Sequence, residues 1–516
     1  MIRRSLLALL GVVALAVAGC AGGSSANEPG TLTVQFSGPP ISGLDPAKSS
    51  GGQSMIYSTL AYDSLIFAKP DGTLAPDLAT SWEWLDDAYR VFQLTLREGV
   101  VFSDGAPMTA EGVARWLHYY RDAKSTLSSN LQMMTSATAV DAHTVRIELN
   151  EPHPDLPWVL SQLYGGGMVA NPSAMTRPGS LDMATNGTGP YVLDPGQSVS
   201  GDHYTYVRNA RYWNPSVVYY DKVVIKAISD PNTVVSAVAS GQIDVASGKP
   251  LTAPTAEDSG ATVTSAPGAV WALYLLDRAG TLAPPLAKTE VRQAINLAID
   301  RGPITKALNP NGYAVPTAQM GLPQQEGFRP ELDTYYPYDP ARARDLLARA
   351  GYPDGFRFTV LCSNTLSTCP LAQAVASSLG DIGITVDIDA ENEISSFNQK
   401  FRGGKAPAVI FSNQTTAFMA ARALSHRDVL ANPFNSSDPR VSADYDRVAA
   451  SSGDQQGAAY ADLVRDFADL GWFAPVYRTE TILFSSGVDN VALKPKAPTY
   501  YTAVDPTGTA SWRPAS

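Results

Sequence analysis

Several absences limit what this chain can be. Its 516 residues include only three cysteines and five histidines, and no long apolar run follows the first twenty residues. Since a membrane-spanning helix needs about 20 predominantly apolar residues, a multi-span membrane protein is excluded. No cluster of lysine or arginine interrupts a formal net charge of −11, which argues against nucleic acid as a partner. The histidines show no ligand-like spacing, so neither a metal site nor a cofactor is expected.

Enzyme motifs are missing as well. The chain has no G-x-S-x-G elbow, no His-Glu-x-x-His and no G-x-x-x-x-G-K-[ST] phosphate loop. A catalytic pair of carboxylates leaves no sequence signature, but nothing in the chain points to one. We therefore assign no catalytic residue and do not expect an enzyme.

What is present begins at the N-terminus. Two arginines precede a short apolar run that ends in Val17-Ala18-Gly19-Cys20. This pattern is typical of a secretory signal, and the tetrapeptide resembles a bacterial lipobox. We expect residues 1–19 to be a lipoprotein signal peptide, Cys20 to carry the lipid, and residues 20–30 to form a flexible tether. The protein would then sit on the extracytoplasmic face of the cell membrane. The alternative is an ordinary secreted protein whose signal ends in cysteine.

The other two cysteines, Cys362 and Cys369, are close together in the sequence. Outside the cytoplasm such a pair is expected to be oxidised, closing a small loop between a strand and a helix. A loop that short contributes about 2–3 kcal/mol to stability. The alternative is two reduced, buried thiols. Zinc is not expected, because no histidine lies near them.

Strand and helix patterns alternate along most of the chain. Phe92, Leu94 and Leu96 mark one face of a strand. Asp230-Pro231 and Asp339-Pro340 each place an acceptor side chain at the N-cap and proline at the first helical position. The fold class is therefore α/β, and the length requires more than one domain.

Seven short motifs follow one another along the chain: Leu78–Trp82, Phe92–Glu111, Gly187–Tyr191, Arg208–Trp213, Gly241–Asp244, Val291–Asn296 and Ala343–Gly355. In this order they resemble the extracellular solute-binding proteins of family 5, the peptide, dipeptide and nickel receptors of ABC importers. Any one motif is weak, but the ordered set covers nearly the whole mature chain.

The resemblance implies a two-lobed fold like that of periplasmic binding proteins, with an extra inserted domain. The implied divisions are domain I (residues 31–56, 190–272 and 485–516), domain II (57–189) and domain III (273–484). Two crossing segments near residues 272 and 484 would act as a hinge, and the solute would bind in the cleft between the lobes. The partners would be an ABC permease and its ATPases, and the receptor would be a monomer.

The resemblance also implies which residues line the cleft: Phe36, Ser37, Gly38, Trp271, Tyr274, Arg402, Phe411, Ser412, Asn413, Gln414, Thr415 and Tyr477. Trp271 and Tyr274 could instead be hinge packing. Arg402, placed in the loop before a late strand, could instead be a solvated surface charge.

One departure from the family concerns charge. Peptide receptors typically place an aspartate after the late strand, where it pairs with the ammonium of the ligand, because an unpaired buried charge is very costly. The matching stretch, Val409–Ala420, contains no acidic residue. We expect a lipid-anchored receptor for a peptide or peptide-like solute that does not anchor a free amino terminus in the usual way. The alternatives are a sugar, aromatic or carboxylate ligand, or a role in signalling or envelope assembly. Nickel is not expected.

Overall fold

The computed structural model describes residues 30–49, 52–123, 125, 127–177, 179–413, 415–426, 429, 431–493 and 502–516. Cys20, the predicted signal peptide, nearly all of the predicted tether, and Gln414 lie outside the described residues. Within those ranges, no helix combines the length and the apolarity that crossing a membrane requires.

Strands and helices alternate, as the sequence predicts. The strands are β1 (Thr31–Phe36), β2 (Ile41–Leu44), β3 (Ile66–Ala68), β4 (Leu74–Pro76), β5 (Ala79–Trp84), β6 (Val91–Leu96), β7 (Met134–Ala139), β8 (Thr144–Leu149), β9 (Tyr191–Leu193), β10 (His203–Arg208), β11 (Lys222–Ala227), β12 (Val245–Ser247), β13 (Thr262–Leu275), β14 (Ala314–Pro316), β15 (Arg357–Ser363), β16 (Thr385–Glu391), β17 (Ala408–Asn413), β18 (Phe473–Ser485), β19 (Val488–Asp489) and β20 (Arg513–Pro514).

The α-helices of the described chain are α1 (Gly52–Ser58), α2 (Ala110–Asp122), α3 (Leu156–Val159), α4 (Pro231–Ala239), α5 (Ala253–Asp258), α6 (Thr289–Ala298), α7 (Arg301–Leu308), α8 (Pro340–Arg349), α9 (Cys369–Gly380), α10 (Ile394–Arg402), α11 (Ala417–Ser425), α12 (Pro439–Ala449) and α13 (Gly453–Asp469). Both Asp-Pro helix starts form as the sequence predicts. The side chain of Asp230 accepts from the backbone N–H of Thr233, and that of Asp339 accepts from the N–H of Arg342.

Eleven of the described strands form one mixed sheet in the order β16-β15-β17-β13-β18-β12-β1-β11-β10-β9, with β14 paired to β18. A second, antiparallel sheet, β5-β6-β8-β7, is built from residues between 79 and 149. Helix α2 packs on β7 and β8 of that sheet. The mixed α/β class expected from the sequence is confirmed.

Two long strands connect the two ends of the large sheet. β13 and β18 pair antiparallel from Thr262 opposite Ser485 to Tyr274 opposite Phe473. Their register shifts between Pro267 and Ala269 and again between Trp271 and Ala272. The backbone irregularities therefore lie in the middle of the connecting pair.

The two faces of β13 pack into different cores. Leu273 and Leu275 belong to an apolar cluster with residues of α6, α8 and α9. Val270, Ala272 and Tyr274 belong to another cluster with residues of α11, α12 and α13. Helices thus cover both faces of this part of the sheet. Along β13, two residues separated by an odd number of positions have side chains on opposite faces.

Cys362 at the end of β15 and Cys369 at the start of α9 are joined by a disulfide, with their Cα atoms 5.1 Å apart. Both side chains are buried in the cluster that covers one face of β13. The bond ties the strand to the helix that follows it across a seven-residue separation.

Candidate ligand cleft

The carboxyl ends of strands from the two ends of the large sheet face one gap. β1 and β12 run parallel to each other, and β12 pairs with β18 from Ser485 as far as Leu483. β17 runs in the opposite direction and ends at Asn413, opposite Val270 of β13. Along the same edge of β18, β14 pairs with residues 477–479, and no described strand pairs with the residues between Thr479 and Leu483 on that edge. Between these points β13 and β18 pair with no other described strand.

This gap has the geometry of a ligand site. In open α/β sheets, ligands bind in the crevice outside the carboxyl ends of the strands. Phe36 is the last residue of β1, and Ser37 and Gly38 follow it half-buried. The carbonyl of Gly38 accepts a hydrogen bond from the hydroxyl of Tyr57, 2.9 Å away. On the other side, Ser412 and Asn413 end β17.

Three residues predicted to line the cleft form one row across the sheet. Trp271 lies directly opposite Ser412 of β17 and also opposite Tyr477 of β18. Trp271 is half-buried, and its indole N–H donates to the hydroxyl of Thr479, 3.1 Å away. Burial raises the pKa of the Tyr477 hydroxyl to about 12. Three segments that are far apart in the sequence therefore meet on one face.

Tyr274, Phe411 and Asn413 lie on the other face of the sheet. Tyr274 is 1 % exposed, with its ring 4.9 Å from that of Phe473 and 6.0 Å from that of Phe411. Burial raises the pKa of its hydroxyl well above the ordinary value. Tyr274 thus packs in the aromatic core of this half of the molecule and is separated by the sheet from Trp271.

Asn413 is the most informative polar residue at the end of β17. Its side chain is 8 % exposed, and its Nδ2 is buried with no hydrogen-bond acceptor. Arg478 shares its row, because both residues pair with Val270. The guanidinium of Arg478 lies 2.6 Å from the carboxylate of Asp333. The cation therefore already has a partner, whereas the amide nitrogen of Asn413 has none.

Arg402 does not lie in a loop, and the sequence interpretation of its position was wrong in that respect. It is the last residue of α10 and is exposed. The side chains of Phe397 and Phe401, on the other side of this helix, are buried. The helix runs to Arg402 because these two rings, four residues apart, form an apolar stripe on the sheet.

Two glutamines that sequence reasoning missed support the same region. Gln325 Nε2 donates to the carbonyl of Thr415 at 2.6 Å, and Gln324 Nε2 donates to the carbonyl of Pro267 at 3.0 Å. Gln324 Oε1 is buried without a donor. They lie in the connection between β14 and α8, where no motif or periodicity marks them. They link the end of β17 and the irregular part of β13 to one connecting segment.

An acidic residue does reach this region, from a distant part of the chain. The hydroxyl of Thr416 donates to the carboxylate of Asp155, and the backbone N–H of Thr416 donates to the hydroxyl of Tyr164. Asp155 is 6 % exposed. No sequence pattern signals this contact, because it joins residues 261 positions apart.

Comparison with known proteins agrees with this geometry. The family model of bacterial extracellular solute-binding proteins, family 5 (Middle), matches residues 73–427. The glutathione-binding protein GsiB of Escherichia coli K12 is 28% identical over 397 residues, which cover 75% of this chain and 74% of GsiB.

Solved structures show the same architecture. AgaA of A. tumefaciens R10, in complex with agropinic acid, superposes with a TM-score of 0.79 at 23% identity, covering 94% of this chain and 99% of AgaA. OppA of Haemophilus influenzae, in complex with RPPGFSPFR, gives a TM-score of 0.73 at 18% identity, covering 92% and 98% of the two chains. These likenesses confirm the two-lobed α/β fold expected from the sequence. The chain belongs to the extracellular solute-binding proteins of family 5 and is an extracytoplasmic solute-binding protein of an ABC importer.

Proposed function

We propose that this protein is a lipid-anchored receptor, held at the membrane through Cys20, that captures a peptide-like solute and delivers it to its permease without catalysis. The solute would bind in the gap between the carboxyl ends of β1, β12 and β17. The three-domain division given above would make this gap the cleft between domains I and III. The lobes would then close about the middle of β13 and β18.

The unpartnered Nδ2 of Asn413 carries the ligand assignment. A buried amide donor without an acceptor costs about 1–3 kcal/mol, and a solute carbonyl or carboxylate would remove that cost. Thr415, two residues further along, offers a hydroxyl, and Val409–Ala420 contains no acidic residue. The carboxylate that reaches this segment, that of Asp155, already accepts a hydrogen bond from Thr416. Such a site favours a solute with several acceptors over one held by its ammonium.

Glutathione is the first solute to examine. GsiB is named as a glutathione-binding protein, and glutathione is a γ-linked tripeptide with two carboxylates and two amide carbonyls. Its acceptors suit a donor such as Asn413 Nδ2. A second candidate is a non-peptide carboxylate, because AgaA has this fold and was solved with agropinic acid. An aromatic or sugar ligand is a further alternative.

Replacing Asn413 tests the site. In the variant Asn413→Ala, the affinity for glutathione should fall about tenfold, as expected for one lost hydrogen bond. Asn232→Ala is a matched control, because Asn232 is exposed on α4. Isothermal titration calorimetry would measure both. Equal affinities for Asn413→Ala and the wild type would remove Asn413 from the site.

The anchor is tested separately. Cys20→Ser should release the protein from the membrane fraction while leaving its affinity for the solute unchanged, because the tether keeps the lipid apart from the cleft. Retention of the variant in washed membranes would contradict the proposed lipidation.

A further inference from the structure

A short stretch of the inserted region, residues 151–164, contacts the segment that follows β17. Two hydrogen bonds meet at Thr416, whose hydroxyl donates to the carboxylate of Asp155 and whose backbone N–H donates to the hydroxyl of Tyr164 at 3.2 Å. Thr416 is 2 % exposed. It is thus held by its side chain and its backbone at the same time, by two residues of one stretch.

Thr416 also begins the next helix. It is the N-cap of α11, and its side-chain oxygen accepts from the backbone N–H of Met419 at 3.4 Å. The preceding residue, Thr415, is held through its carbonyl by Gln325. The backbone is therefore fixed at two consecutive residues, just beyond Asn413. An N-cap bond contributes about 1 kcal/mol, so the geometry of Thr416 affects both the helix and the end of the strand.

Further contacts join the same stretch to α11. Glu151 forms an ion pair with Arg422 at 3.0 Å and lies 3.7 Å from the imidazole of His426. The ring of His153 packs edge-on against Phe418, with the ring centroids 4.7 Å apart. One face of α11 is thus covered along its length by residues 151–155, so the contact at Thr416 is part of a continuous interface.

We propose that Asp155 and Tyr164 are positioning residues for solute binding. Through Thr416 they hold the end of β17, and with it Asn413, in the arrangement that accepts the solute. This inference rests on the proposed function, because it assigns a role within the same site. It gives residues 151–164 of the inserted region a part in ligand affinity through their contacts with Thr416.

Hydrogen–deuterium exchange of the full mature chain without solute tests the holding role directly. Asp155→Leu removes the acceptor and Tyr164→Phe removes the hydroxyl, so amides of residues 415–426 should exchange about tenfold faster in each. Asp155→Asn keeps an acceptor oxygen and should exchange like the wild type. Asp87→Leu, at an exposed position of the same region, is the matched control. Unchanged exchange in Asp155→Leu and Tyr164→Phe would overturn the proposal.

The affinity for glutathione supplies the second readout. It should fall about tenfold in Asp155→Leu and by less than about threefold in Asp155→Asn. If Asp155→Asn lost binding while its exchange stayed normal, the charge of Asp155 would act on the solute itself, and the positioning role would be wrong. If the wild type did not bind glutathione, the proposed ligand would fail, whereas the exchange experiment would still decide the role of Asp155.

Discussion

The indole N–H of Trp271 donates to the hydroxyl of Thr479 across the two strands that connect the lobes. Thr479 pairs with Ala269, which directly follows one register shift, whereas Trp271 directly precedes the other. The bond therefore ties the strand pair between its two irregular points. A hinge needs backbone that can change its angles while its sides stay rigid, and we therefore place the proposed hinge at this short stretch.

Gly268 gives the first prediction. A Cβ at this position would lie 2.7 Å from Thr481 Oγ1 and 3.1 Å from the Thr481 backbone nitrogen. Gly268→Ala should therefore lower the free energy of unfolding by about 1–3 kcal/mol, because the opposite strand must move. Urea denaturation measures this.

Gly380→Ala is the control for that experiment, because a Cβ there meets no atom within 4 Å. Gly380 is the last residue of α9, where alanine is tolerated and should change stability by no more than about 1 kcal/mol. Equal losses in the two variants would contradict a close strand approach at Gly268.

His153 predicts a dependence of stability on pH. Its side chain is fully buried with no hydrogen bond to either ring nitrogen. Burial, which is the larger cause, and the charge of Arg422 together lower the pKa of the His153 imidazole to about 3. This lies below the unfolded value of about 6.5, so the contribution to stability is complete above pH 6.5 and is lost as the pH falls toward 3.

The expected loss from His153 is about 2 kcal/mol between pH 7 and pH 5. The other ionisable groups of the same interface are Glu151 and Asp155 on its own segment, Arg422 on α11, His426 directly after that helix, and Tyr445 on α12. His153→Phe keeps a ring against Phe418 and should remove that part of the pH dependence. His143→Gln, at an exposed histidine, should keep it. Identical pH profiles for His153→Phe and the wild type would contradict this account.

The disulfide gives a further prediction. Replacing Cys362 and Cys369 with serine should lower the free energy of unfolding by about 2–3 kcal/mol, since the bond closes only a short loop. The double variant should also be insensitive to dithiothreitol, whereas the wild type should lose the same amount when it is reduced. A wild type whose stability does not respond to dithiothreitol would indicate that the thiols are not bonded.

Sequence patterns predicted the local structure well because its causes are local. The Asp-Pro caps at residues 230 and 339 and the alternating strand around Phe92 depend on neighbours within four residues. To place Trp271 and Tyr274 relative to the sheet, the spacing between them also has to be considered. They are three residues apart in one strand, so they could not share a face, and the odd spacing was a usable signal. The stripe of Phe397 and Phe401 was a similar signal, from which the helical position of Arg402 could have been predicted.

The contact between Asp155 and Thr416 could not be predicted in this way. Periodicity identifies the buried face of an element but does not say which distant loop covers it. Gln324 and Gln325 were missed for the same reason, because their role depends on where the connection after β14 crosses the end of β17. The resemblance thus indicated the strand ends that border the gap, but not the residues that support them.

The central claim is that the cleft accepts a peptide-like solute without anchoring its ammonium. Calorimetric titration of the mature protein with glutathione and with N-acetylglutathione tests it most directly. Acetylation removes the ammonium charge and leaves both carboxylates and the amide carbonyls in place. We predict that both compounds bind, with dissociation constants within about threefold of each other. Tight binding of glutathione that disappears on N-acetylation would contradict the account.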